Sequence, residues 1–303
     1  MAVRAGLVDP QDAKISSRHE EAALGLASAL PRLLVAARRA SATVVHGLHG
    51  RRRSGVGENF WQFRRFTDGD ATTKIDWRRS ARDEHVYIRE QEWEAAHTVW
   101  LWIDRSRSMQ FKSSLTETSK LERAVVLGLA LADVLVRGGE RVGLLGLTRP
   151  TASRNAIDKL AQSLVFAQDD AGHLPPSGAP IARLAEAVLI GDLLAQEEEI
   201  AAAVSTLAGR GGRGHMVMIV DPVEETFPFT GRTEFLDPDA PLKLVAGRAE
   251  DWRAGYEERL ARHRAAIAEI ARRHGWSFTI HRTDRPATEP LLALHARLGE
   301  ADR

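Results

Sequence analysis

The sequence contains no cysteine. Disulfides, thiolate zinc sites and cysteine nucleophiles are thereby excluded, and the absence fits a reducing compartment. Long apolar runs are missing too. The most continuous stretch, residues 22–37, is interrupted by Ser28, Pro31 and Arg32, short of the roughly 18 residues that span a bilayer. The opening residues lack the basic start and apolar core of a secretory signal, so a cytoplasmic location is the expectation. Charge of one sign is also absent: 42 Lys and Arg stand against 41 Asp and Glu, a formal net charge of +1. No global field points to nucleic acid or an acidic membrane. The 11 histidines show no H-x-x-x-H or H-E-x-x-H spacing, no loop has a nucleotide-cradling pattern, and no serine stands in a recognisable nucleophile elbow. These absences favour an interaction protein over an enzyme.

What is present is a globular composition, 44% hydrophobic and 27% charged over 303 residues, enough for one large domain or two smaller ones. The chain is organised around Thr98-Val-Trp-Leu-Trp-Ile-Asp-Arg-Ser-Arg-Ser-Met109. Its first half is an apolar run rich in β-branched and aromatic residues, as in a buried strand. It closes with Asp104-x-Ser106-x-Ser108. In an extended segment alternate side chains point the same way, so one carboxylate and two hydroxyls converge while Arg105 and Arg107 face away. Such a set suits a hard divalent cation such as Mg²⁺; the alternative is a polar turn in which the serines cap the next segment.

Ahead of this strand, Arg18–Ala42 has helical spacing, with Pro31 expected to break or restart the helix. A glycine-punctuated basic loop, residues 46–57 with Arg51–Arg53, reads as solvated or paired with acidic neighbours. Phosphate binding is the other reading, although the spacing fits no phosphate-binding fingerprint. Residues 58–94 interleave Trp61, Phe63, Phe66, Trp77 and Tyr87 with Arg64, Arg65, Arg78, Arg79, Arg82 and Arg89. Stacking on single-stranded nucleic acid is one use of that pattern. The near balance of charge favours an internal lattice of cation–π contacts and ion pairs with Asp68, Asp70, Asp76 and Asp83. This stretch reads as a β-rich lead-in.

Downstream, apolar strands and amphipathic helices alternate. Ser119–Glu122 has capping-box spacing ahead of a helix over 121–136. Strands are expected at 141–147, 187–192, 215–220 and 277–281, and helices at 155–166, 196–208, 248–274 and 289–298. Such alternation predicts a mostly parallel α/β sheet covered on both faces. Sites in these sheets lie at the carboxyl ends of strands, where Asp104, Asp192 and Asp221 fall. Helix capping for Asp192 and turn initiation by Asp221-Pro222 are the structural alternatives.

The strand ending Asp104-Arg-Ser-Arg-Ser-Met109, with a later strand ending at Asp192, resembles the metal-ion-dependent adhesion site of von Willebrand factor A domains. Several further segments are similar to the bacterial family called domain of unknown function 58: Gly57-Glu-Asn-Phe-Trp-Gln-Phe-Arg-Arg-Phe-Thr-Asp-Gly-Asp70, Lys74-Ile-Asp-Trp-Arg-Arg-Ser-Ala-Arg82, the acidic Glu90–Glu94 run, Val220-Asp-Pro-Val-Glu224 and Trp252–Tyr256. The resemblance covers about Val44 to the C-terminus. It implies a von Willebrand factor A-like, Rossmannoid α/β domain at 98–303 and a Trp/Arg-rich lead-in at 44–97, after a helical leader at 1–43. It further implies no known catalytic activity and association with MoxR-type AAA+ ATPases in chaperone-like maturation or assembly of other proteins. By the same analogy Asp104, Ser106 and Ser108 would hold Mg²⁺, with Asp192 joining directly or through water and a partner carboxylate completing the shell. Many relatives carry membrane helices ahead of the shared region. The adhesion site also takes a threonine from an intervening loop; Thr151, Ser153 and Ser177 are the candidates here, and none has the usual context. The alternatives are a Mg²⁺-dependent phosphoester hydrolase using Asp104, Asp192 and Asp221, and a nucleic-acid-binding module using Arg51–Arg53 and the Trp61–Arg82 stretch.

Overall fold

The structure is a computed structural model that describes residues 10–48, 60–67, 72, 75–91, 97–167, 173–176, 185–209, 212–238 and 242–300. The chain divides into two compact units: Met1–Gly50 with Thr98–Arg303, and Arg51–His97. The N-terminal helix thus belongs with the α/β unit.

In the smaller unit, β1 (Phe60–Arg65) pairs antiparallel with β2 (Tyr87–Gln91), and the short α2 (Trp77–Ser80) lies between them in sequence. Asp76 starts α2, accepting from the Arg79 N–H at 2.9 Å. Part of the expected Arg/aromatic lattice is visible here. The Arg79 guanidinium lies 5.4 Å above the Tyr87 ring, and the Tyr87 hydroxyl donates to Asp83 at 2.7 Å. Trp77, by contrast, is 67% exposed. Asp68, Asp70 and the basic residues Arg51–Arg53 lie outside the described residues.

The larger unit is built on five parallel strands: β3 (Thr98–Ile103), β4 (Arg141–Leu144), β5 (Glu186–Gly191), β6 (Arg213–Val220) and β9 (Ser277–Arg282). Their spatial order is β4-β3-β5-β6-β9. The period-2 geometry of a strand divides its side chains between two cores. Val99, Leu101 and Ile103 enter one with Val188, Ile190, Val217 and Ile219; Trp100 and Trp102 enter the other with Leu189, Met216 and Met218. The first core is covered by α3 (Lys120–Arg137), α4 (Ala156–Phe166), α8 (Thr288–Glu300) and α1 (Pro10–Leu48). The second is covered by α5 (Glu197–Ala208) and α7 (Arg253–Arg273). This is the α/β architecture, mostly parallel with helices on both faces, that the alternating pattern predicts.

Two elements differ from expectation. Helix α1 runs unbroken through Pro31. Proline removes one backbone hydrogen bond, and here packing of Leu26, Leu33, Ala37 and Val44 into the core outweighs that local cost. Polar ties fix its register: Arg32 pairs with Glu122 of α3, Arg38 with Asp158 of α4 at 2.8 Å, and Ser41 donates to the buried Asp133 of α3. After β6 the chain adds the short α6 (Pro222–Thr226) and a hairpin, β7 (Thr233–Leu236) with β8 (Lys243–Ala246), before α7. Phe227, Phe229, Phe235 and Tyr256 form a separate aromatic cluster there, with centroids 4.7–5.7 Å apart.

On the edge strand β9, His281 is 3% exposed. Burial first, then the Arg123 charge, pushes its pKa down to about 4. The unfolded chain, with an ordinary value of about 6.5, therefore binds the extra proton first, and this group's contribution to stability is lost as pH falls from about 6.5 toward about 4. Replacing His281 by Gln removes that term. The wild-type stability minus that of His281→Gln, measured by urea unfolding, is expected to drop by about 2–3 kcal/mol between pH 7 and pH 4.

Candidate metal centre

Strand β3 pairs with β4 on one side and β5 on the other. The chain first winds outward to β4, then returns past β3 to β5, so the connections leaving the carboxyl ends of β3 and β5 diverge. Such a switch point leaves a crevice at the strand ends, where ligands bind in open α/β sheets. Asp104 follows β3 and Asp192 follows β5, one on each side of that crevice.

The geometry is set by the backbone. The Asp104 N–H donates to Ile190 O at 2.8 Å, extending the β3–β5 ladder by one residue. The chain then turns, and Asp104 Oδ1 accepts from the Ser106 N–H at 2.8 Å. Ser106 Oγ and Ser108 Oγ are 3.0 Å apart, and Ser108 Oγ donates to Asp192 Oδ2 at 2.7 Å. All four residues expected from the sequence, Asp104, Ser106, Ser108 and Asp192, therefore converge. Gly191 permits this approach: a Cβ there would lie 2.7 Å from the Asp104 Cβ and 3.1 Å from its Oδ2. Arg105 turns from the cluster and donates to Ala167 O at 3.2 Å.

Both carboxylates are buried, Asp104 at 0% and Asp192 at 1% exposure. Burial and then the Asp192 charge push the Asp104 pKa up to about 6, against the lowering effect of its hydrogen bonds to Ser106. Asp104 Oδ2 has no hydrogen-bond partner among the described residues, an unusual condition for a buried oxygen. His173, from the segment between α4 and β5, also faces the cluster. Asp104, His173 and Asp192 each offer a ligand atom, and these atoms lie within 4.8 Å of one another.

Lys120, the first residue of α3, supplies a counter-charge. Its Nζ donates to Asp192 Oδ2 at 3.0 Å and to Glu224 Oε1 at 2.7 Å, and the side chain is 1% exposed. Burial lowers its pKa, but the Asp192 and Glu224 charges outweigh burial and the net shift is upward. The two carboxylates thereby favour the ammonium form at this position. Its position follows from the expected capping box: Ser119 accepts from the Glu122 N–H at 3.2 Å, and Glu122 reaches back to the Ser119 N–H.

Asp221 has a structural role. Its Oδ1 accepts from the Val223 N–H and its Oδ2 from the Ser113 N–H, both at 2.9 Å. It caps α6 and pins the loop after Ser108. Glu224 completes that capping box through the Asp221 N–H at 2.8 Å, and the Tyr256 hydroxyl on α7 donates to Glu224 O at 2.6 Å. Asp192 does not cap a helix; Gln196 occupies the N-cap of α5. Thr151 bridges Val142 at the edge of the sheet, and Ser153 lies just beyond it before α4. Ser177 lies outside the described residues.

The chain belongs to the family described as Protein of unknown function DUF58, which matches residues 62–266. Uncharacterised proteins of Mycobacterium bovis and Mycobacterium tuberculosis are each 26% identical to it over 281 residues, covering 86% of this chain and 86% of the relative. Among solved structures, the conserved hypothetical protein BatB from Bacteroides thetaiotaomicron is similar over 68% of this chain and 100% of that one, with 14% identity and a TM-score of 0.41. An aerotolerance-related membrane protein from Bacteroides fragilis gives the same coverage, 17% identity and a TM-score of 0.42. No helix among the described residues is long and apolar enough to cross a membrane.

Two substitutions test the electrostatics of the cluster. Lys120→Ala leaves Asp192 and Glu224 without their buried counter-charge and is expected to destabilise the fold by about 3–5 kcal/mol in urea unfolding. Asp104→Asn has the opposite sign. It removes a buried charge beside a like charge, so in chelator at pH 7.5 the variant is expected to be more stable than wild type by about 1–3 kcal/mol.

Proposed function

We propose that the α/β unit is a von Willebrand factor A-like interaction domain, in which the crevice between β3 and β5 holds a divalent cation that captures a carboxylate on a partner protein. The observation that carries this reading is the convergence of the buried Asp104 and Asp192 carboxylates with two serine hydroxyls, with an Asp104 Oδ2 that has no hydrogen-bond partner among the described residues. A carboxylate oxygen kept from water and from hydrogen-bond donors is expensive unless a cation meets it. Oxygen donors of this kind fit a hard ion such as Mg²⁺.

Asp104, Ser106 and Ser108 would bind the ion from the β3 side, and Asp192 from the β5 side. Lys120 and Ser108 orient Asp192, and Asp221 holds the loop that follows the serines. The bound ion supplies an open coordination position for an incoming carboxylate. Both Asp221 oxygens already accept backbone N–H groups, so a phosphoester hydrolase built on three carboxylates has less support.

For the partner, membership of the family supports a MoxR-type AAA+ ATPase, with the pair acting in maturation or assembly of other proteins. Co-expression of the two with a tag on this chain provides the test. Capture of the ATPase is expected in Mg²⁺, with release by EDTA and loss in Asp104→Ala at unchanged circular dichroism. Capture indifferent to both EDTA and the substitution would overturn the cation-bridged mode.

A further inference from the structure

We propose that the ion is a first-row transition metal rather than Mg²⁺, held by the imidazole of His173 together with the carboxylates of Asp104 and Asp192. This rests on the reading of the crevice as a cation site and specifies its ligand set. His173 comes from the segment between α4 and β5, and its side chain is half-buried at the cluster. One of its ring nitrogens, an oxygen of Asp104 and an oxygen of Asp192 lie within 4.8 Å of one another. Small side-chain adjustments would bring all three onto one ion.

The chemistry of that set decides the metal class. Mg²⁺ demands an octahedron of oxygens and gives up its waters reluctantly. Imidazole nitrogen raises the affinity of a site for the later divalent ions, in the order Mn²⁺ < Fe²⁺ < Co²⁺ < Ni²⁺. One carboxylate oxygen of Asp104 lies within 4.8 Å of the His173 ring nitrogen, and its Oδ2 has no hydrogen-bond partner among the described residues, which gives the nitrogen a companion carboxylate on the β3 side. Charge agrees as well. Asp104, Asp192 and Glu224 against Lys120 leave an excess of negative charge that a divalent ion neutralises.

Mn²⁺ serves as the probe, because pulsed electron paramagnetic resonance detects ¹⁴N bound to it. Calorimetric titrations of the full chain with Mn²⁺ and Mg²⁺ accompany the spectra for wild type, His173→Ala and Asp104→Asn. Wild type is expected to bind Mn²⁺ at least about tenfold more tightly than Mg²⁺ and to show ¹⁴N modulation. His173→Ala is expected to lose the modulation and most of the preference, while keeping its Mg²⁺ affinity. Asp104→Asn is expected to lose both ions. Equal affinities without ¹⁴N modulation would overturn the nitrogen ligand and leave the cation site standing. No saturable binding of either ion to wild type would overturn both readings. Mn²⁺ binding that survives in both variants would place the ion elsewhere and overturn the assignment.

Discussion

Two carboxylates buried side by side at the ends of neighbouring strands impose the constraint on which this structure depends. Asp104 and Asp192 are almost fully withdrawn from water, and like charges in that setting repel strongly. The surrounding elements offset this. Strand β5 ends in a glycine because nothing larger fits beside Asp104. The first residue of α3 is a lysine whose ammonium enters the core to meet Asp192, and Glu224 on α6 receives the ammonium from the other side. Even so, one oxygen of Asp104 has no donor among the described residues. A chain selected only for stability would have replaced it, since buried ion clusters are often no better than apolar packing.

Much of the α/β framework was legible in the sequence because it follows from local rules. The continuous apolar run of β3, the capping box at Ser119 and the short strands ending near Gly191 and Val220 are each encoded within a few residues. Asp104, Ser106 and Ser108 were legible for the same reason: a period-2 spacing places them together whatever the rest of the chain does. Asp192 needed one further inference, that strand ends in a parallel sheet share one edge. The Thr233–Ala246 hairpin was not read, since its two four-residue strands carry little periodicity. The continuity of α1 through Pro31 was missed because the packing that supports it comes from α3, α4 and α8.

Lys120 and His173 were beyond the reach of local reading. Lys120 stands in the sequence as an ordinary polar residue at a helix start, between a capping serine and a leucine. Only the fold shows that its long side chain runs inward to Asp192. His173 sits in a polar, Pro/Gly-rich stretch with no periodic partner, and its neighbours at the cluster come from strands 69 residues before and 19 after it. The position of a loop side chain such as His173 is set by tertiary closure, which a spacing rule does not describe. A hydroxyl was the expected loop ligand, and an imidazole faces the carboxylates.

The first turn of α3 joins two distant parts of the molecule. Glu122 closes its capping box and pairs with Arg32 on the N-terminal helix, while Lys120, two residues earlier, grips Asp192. Seating of the N-terminal helix and the posture of the crevice are thus read by the same turn of backbone. A force or a binding partner that pulled on that helix would act on the carboxylates through a lever one helical turn long. By reciprocity, occupation of the crevice would change how firmly the helix is held.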